Sequence, residues 1–342
     1  MRFFRKLIAS MLLLSAVSAC EKEIRFVGDY DGEKLVMYAT ANADSTLYAN
    51  LFKSRFIMSD KNENLSEPIS GATVTAVAGG RTITLHEGAS MPGSYCSDYR
   101  PMPGETVTIN ASLPGFPSVS STVTVPHKPD FKIEVTGKTL EDSSEGDDYG
   151  TVRIGLRLTI KDRPGAHDCY NAQILERSDS RLASGEYEWR KMNLYSNDVV
   201  FRTPDDTFEM IGDAADGTTY VCLEHSFDDQ AFDGETHVFD LWFDVWVNRN
   251  KELYSSGGGL NDDEGDGPKI PLTARVDLGM FRFELDAISE DIYLFEKTLA
   301  AYNGGDMMEF FGEPVSIHNN ISGGIGCFGA VVPSFIELDK AD

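Results

Sequence analysis

The sequence predicts an all-β protein: a small N-terminal β-sandwich, then a larger C-terminal β-sandwich carrying one conspicuous helix. Three observations support that expectation. β-Branched residues alternate with polar ones at a period of two through many short runs, Gly- and Pro-rich turns separate those runs, and a single segment repeats its apolar residues at helical spacing. With 20 Phe, 13 Tyr and 3 Trp among 342 residues, the chain is too apolar to stay disordered and long enough to bury two cores. Its formal charge of −25 repels polyanions at long range, so no nucleic-acid partner is expected.

Residues 1–19 read as a secretory signal. Arg2, Arg5 and Lys6 precede an apolar run at 7–17, and small residues lead to the cysteine in Val17-Ser18-Ala19-Cys20. This is the lipobox pattern, in which the Cys20 thiol carries diacylglycerol and its amine a third acyl chain. The apolar run is too short to span a bilayer, whereas acyl chains contribute roughly 0.8 kcal/mol per buried CH₂ and anchor a protein unaided. An uncleaved N-terminal anchor is the alternative. Residues 20–31 then form a tether from the membrane to the folded body.

Residues 32–126 are expected to form the small sandwich. Runs at 34–40 and 47–58 come first, and 72–77 and 81–85 flank Gly79-Gly80, a hairpin signal because positive φ costs glycine little. Alternating runs at 106–111 and 119–125 follow, joined by Pro103-Gly104 and Pro114-Gly115. Pro126-His127-Lys128-Pro129 is the expected linker, since two prolines in four residues resist helix and central strand alike.

Residues 127–342 make up the larger unit. Val152, Ile154, Leu156, Leu158 and Ile160 fall on one strand face, with Arg153 and Arg157 on the other. Further strands are expected at 170–176, 207–211, 218–224, 237–248, 273–283, 314–318 and 326–332. Ser289 is a plausible N-cap, Glu290 and Asp291 suit a helix N-terminus, and Ile292, Phe295, Leu299 and Tyr302 recur at helical spacing before Gly304-Gly305.

Candidate site residues are few. Leu241, Phe243, Val245 and Val247 take the core face of one strand, which leaves Trp242, Asp244 and Trp246 opposite, the indoles about 7 Å apart. They can stack on sugar rings or peptide side chains while Asp244 takes a hydroxyl or amine; otherwise a neighbouring element covers both rings as a second layer. No cofactor is expected, and calcium is the one ion considered. Asp262, Glu264 and Asp266 sit at the first, third and fifth places of a calcium-like loop, but Thr273 occupies the twelfth, where a bidentate Glu is needed. The bland reading is a solvated loop. In the 227–234 segment, Asp228 and Asp229 are expected to cap a turn, with a cation as the second possibility.

Cys96, Cys169, Cys222 and Cys327 show no metal-ligand spacing and are read as free thiols, Cys169 with Cys222 being the first pairing to test. No Gly-x-Ser-x-Gly, His-Glu-x-x-His or phosphate-cradling loop occurs, so an enzyme is not expected, a hydrolase being the remaining alternative.

Several segments carry resemblances. Ile69-Ser70-Gly71-Ala72-Thr73-Val74, Gly93-Ser94-Tyr95 and 103–109 resemble a transthyretin-like module of Ig-like sandwich type. Cys20-Glu21-Lys22-Glu23-Ile24, 32–36, Phe227-Asp228-Asp229-Gln230-Ala231-Phe232-Asp233-Gly234, the 285–302 region and Asn319-Asn320-Ile321-Ser322-Gly323-Gly324-Ile325-Gly326-Cys327-Phe328-Gly329 together resemble the lipoproteins of domain-of-unknown-function family 4249 in Bacteroidota. The resemblance implies an envelope lipoprotein that accompanies a TonB-dependent outer-membrane transporter. Acids after the lipidated Cys are similar to an export signal for the cell surface. The expected function is a non-catalytic accessory or ligand-binding subunit of an uptake complex, taking a glycan or peptide; a structural or adhesive surface protein is the alternative.

Overall fold

A computed structural model describes residues 32–54, 67–142, 149–181, 185–201, 221–223, 226–248, 271–303 and 316–340. In chain order the strands are β1 (Leu35–Asn42), β2 (Leu47–Lys53), β3 (Glu67–Pro68), β4 (Thr73–Ala78), β5 (Arg81–Gly88), β6 (Met91–Cys96), β7 (Thr106–Ser112) and β8 (Val119–Thr124). Then follow β9 (Asp130–Asp142), β10 (Tyr149–Lys161), β11 (Cys169–Arg181), β12 (Tyr187–Met192), β13 (Tyr195–Ser196), β14 (Val221–Cys222), β15 (Phe227–Asp228) and β16 (Thr236–Asn248). After β17 (Phe281–Ile288) come the helix α1 (Glu290–Asn303), β18 (Ile325–Val332) and β19 (Phe335–Glu337). The protein is mostly β with sandwich-like sheets, and none of its described helices is long and apolar enough to cross a membrane.

A single hydrogen-bonded path, β12-β11-β17-β18-β1-β2-β6-β5-β4-β7-β8, runs through strands from both ends of the chain. Its central joint is the parallel pairing of β1 with β18, from Val36 opposite Ile325 to Asn42 opposite Val331. The strand at 326–332, assigned by sequence to the second unit, therefore completes the first. Phe328, Ala330 and Val332 are buried with Leu35, Met37, Leu51, Ile109 and Val119 in one core. β8 comes back to the same place, where Ser120 and Ser322 exchange backbone hydrogen bonds of 3.1 and 2.8 Å. The segments 69–74 and 93–95 are tied together beside this core. Tyr95 is buried, donates to the Ile69 carbonyl at 2.9 Å and accepts the Ala72 N–H at 3.0 Å. Glu87 accepts the N–H groups of Gly71 and Gly93.

The segment leading into β18 is shaped by close approach. Asn319 Oδ1 accepts the N–H of Ile321 and of Gly326, and the Asn320 amide pairs with both backbone groups of Phe328. Gly326 has φ +130°, and a Cβ there would be driven into the Met37 carbonyl. At Gly329 the obstacle is Ile292 of α1, which lies across β18.

The second core lies between β11 and β17 of the long sheet and a five-stranded sheet ordered β14-β13-β16-β10-β9. As the alternation predicts, Val152, Ile154, Leu156, Leu158 and Ile160 are all buried, and they meet Phe239, Leu241, Phe243, Phe281, Phe283 and Leu285. β9 and β12, which the sequence reading passed over, are the outermost strands of their sheets among the described residues.

The expected strand at 273–283 is instead two 3₁₀ turns, Leu272–Arg275 and Leu278–Met280, with strand only from Phe281. Asp277 accepts the Gly279 N–H at 3.0 Å and starts the second turn, a local bond that competes with a ladder. Residues 316–318 are likewise not strand. Ser289 precedes α1 as expected, but its hydroxyl accepts the Ala330 N–H of β18 at 3.0 Å, stitching helix start to sheet. Residues 207–211 and most of 218–224 lie outside the described residues.

Gly326→Ala is expected to cost about 3 kcal/mol or more in urea unfolding, from backbone strain and displacement of β1. Gly115, at φ +93° with open space around it, is the control: its alanine variant should lose only about 1–2 kcal/mol. Equal losses at both would contradict a tight β1–β18 joint.

Candidate ligand-binding site

Strand alternation on β16 places Trp242, Asp244 and Trp246 together on the outward face of the five-stranded sheet, and among the described residues no helix covers them: α1 packs on β18. Their surroundings differ. Arg153, directly opposite Asp244, holds it by two bonds of 2.9 and 3.0 Å and also reaches Glu141 at 3.3 Å. The same guanidinium lies 5.3 Å from the Trp242 ring centroid. Trp242 in turn stacks on Tyr195 of β13, centroids 6.0 Å apart and planes at 22°. Trp242 and Asp244 thus form a half-buried network, whereas Trp246 is 77% exposed.

Trp246 also stands at the rim of a cavity of about 440 Å³, where the two sheets of the second sandwich part. Val245, Val247, Val276, Met280 and Phe281 form its apolar lining, and Tyr149, Glu176, Arg275 and Asp277 supply polar groups. An apolar concavity with a few converging polar groups is the usual form of a small-ligand site. The indole rim was readable from alternation. Glu176, Arg275 and Asp277 were not, because three separate elements bring them together.

The 227–234 segment builds a different feature. Asp162, Asp229 and Asp233 place carboxylate oxygens within 4.8 Å of one another, close enough to hold a cation. Each is also a backbone staple: Asp229 accepts the Asp168 N–H, Asp233 that of Gly165, and Asp162 that of Gly234 together with the Tyr170 hydroxyl. Burial, reinforced by the charges of Asp162 and Asp168, pushes the Asp229 carboxyl above the usual range. Of the two expected caps, Asp228 makes the local bond, accepting the Gln230 N–H at 3.3 Å, whereas Asp229 reaches across to the distant Asp168 instead. Asp262, Glu264 and Asp266 lie outside the described residues, as does Cys20.

Cys96, Cys169 and Cys327 are free thiols, so the Cys169–Cys222 bridge is not made. Burial pushes Cys169 and Cys327 up to about 12, which leaves neither a nucleophilic thiolate at neutral pH.

The model of one protein family, the domain of unknown function DUF4249, matches residues 21–334. The chain belongs to the DUF4249 family. The Phe227-to-Gly234 and Asn319-to-Gly329 segments behind the sequence resemblance prove to be structural in this DUF4249 chain, one closing a loop over the second core and the other seating β18. No curated protein matches it. A solved structure described as "Chaperone-tip adhesin complex is vital for synergistic activation of CFA/I fimbriae biogenesis" is 11% identical, covers 66% of this chain and 80% of that chain, and has a TM-score of 0.19, too low to carry an argument.

Trp246→Ala should change stability by no more than about 0.5 kcal/mol, as for other exposed side chains. Trp242→Ala should cost about 1–2 kcal/mol, from the lost Tyr195 stacking and Arg153 contact. Chemical denaturation of the two variants checks this, and equal losses would show that Trp246 is packed.

Asp286 of β17 supplies a pH prediction. Burial, with Glu284 adding to it, raises its carboxyl to about 6, although it accepts the Ser334 N–H at 3.2 Å. A folded-state value above that of free aspartate favours the protonated fold. The contribution is fully present below about pH 4 and is lost as pH rises toward 6. Asp286→Asn keeps the acceptor without the charge, so it should stabilise the protein at pH 7 by about 1–2 kcal/mol and flatten stability between pH 4 and 6. Melting curves across that range provide the check.

Proposed function

We propose that this chain is a lipid-anchored envelope protein, held at the outer membrane through Cys20, that serves as a non-catalytic ligand-binding or accessory subunit beside a TonB-dependent transporter. The observation that carries the binding role is Trp246, 77% exposed at the rim of the 440 Å³ cavity. An indole beside an apolar concavity offers a broad amphipathic surface for stacking, and its partly apolar, partly charged surroundings suit a short peptide or a glycan. Membership of DUF4249 supports the envelope setting to the extent of the lipoprotein resemblance, and Val17-Ser18-Ala19-Cys20 supplies the anchor. The lack of a catalytic motif and the raised thiols support a role without covalent chemistry.

Two measurements test this reading. Cys20→Ala should stop incorporation of labelled palmitate and release the protein from membranes; continued acylation would reject the anchor. Trp246→Ala should weaken capture of peptide, glycan or transporter while leaving the melting temperature nearly unchanged. Undiminished capture would remove the binding role from this rim.

A further inference from the structure

The outward face of the long sheet at β11, β12, β17 and β19 carries an arrangement that the proposed site does not use. Tyr187 of β12 has the guanidinium carbons of Arg177 and Arg181 at 4.6 and 4.2 Å from its ring centroid. One step along the sheet, Arg282 lies 4.3 Å from the Trp189 ring and 5.0 Å from Phe335. Lys191 follows Trp189 on the same face of β12 and is exposed. Glu188 and Arg190 alternate onto the opposite face.

In a chain with 55 acidic and 30 basic residues, cations find carboxylates easily. Arg177, Arg181 and Lys191 have none within ion-pair distance among the described residues. Arg177 directs a nitrogen at the Met280 sulfur at 3.0 Å, and Arg181 donates to the Gly185 carbonyl at 2.9 Å and the Tyr187 hydroxyl at 2.7 Å. Of the described acids on this face, Glu284 is taken by Arg282 at 2.5 Å and by Gln173 at 2.7 Å, Asp286 accepts the Ser334 N–H at 3.2 Å, and Glu337 has a partner of its own. Ring stacking fixes a guanidinium in place yet leaves N–H groups in its plane to meet a carboxylate or sulfate by two parallel bonds.

We infer that this cation–aromatic face binds an acidic polysaccharide, one bearing carboxylates or sulfates along its length. The surface is open and sheet-like, so an extended polymer fits it better than a small molecule. Its rings are engaged with guanidinium groups, which leaves charge and in-plane hydrogen bonding as the means of recognition, and a repeating acidic glycan supplies both at regular intervals. Met280, which Arg177 contacts, already belongs to the lining of the Trp246 cavity, so the open face itself offers the side chains of an acidic peptide no pocket of its own. The net charge of −25 does not oppose this, because at physiological salt fields fade over about 8 Å and a bound chain feels the local cations. The inference does not rest on the Trp246 reading.

The test uses the full chain with heparin and polygalacturonate as acidic glycans, dextran as a neutral one, polyglutamate as an acidic peptide and anionic phospholipid vesicles. Binding to at least one acidic glycan, none to dextran, and a loss of about tenfold or more in Arg177→Gln/Arg181→Gln/Lys191→Gln is expected, with an unchanged far-ultraviolet spectrum. Arg177→Lys/Arg181→Lys keeps the charge without the planar fork and should fall between the two; it also serves if the triple variant fails to fold. Arg81→Gln/Arg100→Gln, which removes two exposed cations far from this face, should bind acidic glycan as the parent does. Absence of acidic-glycan binding, equal binding by all variants, or tighter binding to polyglutamate or vesicles would overturn the inference.

Discussion

Everything in the N-terminal half depends on one parallel strand pair. β1 has β2 on one side and β18 on the other, so its second row of hydrogen bonds comes from the far end of the sequence. The same pairing delivers Phe328, Ala330 and Val332 into the first core, and β17 attaches the second sandwich through Ala287 and Ile288 opposite Val332 and Val331. Parallel neighbours cannot be joined by a tight turn, so the approach to β18 is a tailored segment. Asn319 and Asn320 spend their side-chain amides on its backbone, and Gly326 and Gly329 let β1 and α1 come close.

Acid excess is handled locally rather than by ion pairs alone. Glu87, Asp162, Asp229, Asp233 and Asp277 each accept backbone N–H groups in turns, converting negative charge into loop closure. On the five-stranded sheet, Arg153 and Arg157 face Asp244 and Asp240 across the strands, so the outward face is a charged ladder that also fixes Trp242. Trp246 lies beyond the last rung, where Thr151 is its cross-strand neighbour. The difference between the two indoles is therefore one of partners, not of strand face.

The sequence made the local part of the fold legible. Alternation located β4, β5, β7, β8, β10 and β16, and the paired glycines at 79 and 80 do turn a two-residue hairpin, with φ of 54° and 72°. Long-range pairing was not legible, because nothing in residues 325–332 states that their neighbour is residue 36 rather than a nearby strand. β12 was missed because Tyr187–Met192 is largely exposed and strongly charged, which removes the apolar alternation that marks a strand. The indole face followed from a period of two, whereas the cavity beneath it joins β10, β11, β16 and a 3₁₀ turn, a constellation no spacing rule reaches.

The most direct test of this account is a fragment holding residues 32–126, studied with and without a peptide spanning residues 316–340. The account predicts that the fragment alone binds a hydrophobic dye and melts without cooperativity, since the β1 edge and the seat of Phe328 are empty, and that the peptide restores a cooperative transition. Cooperative unfolding of the fragment alone, unaffected by the peptide, would contradict it.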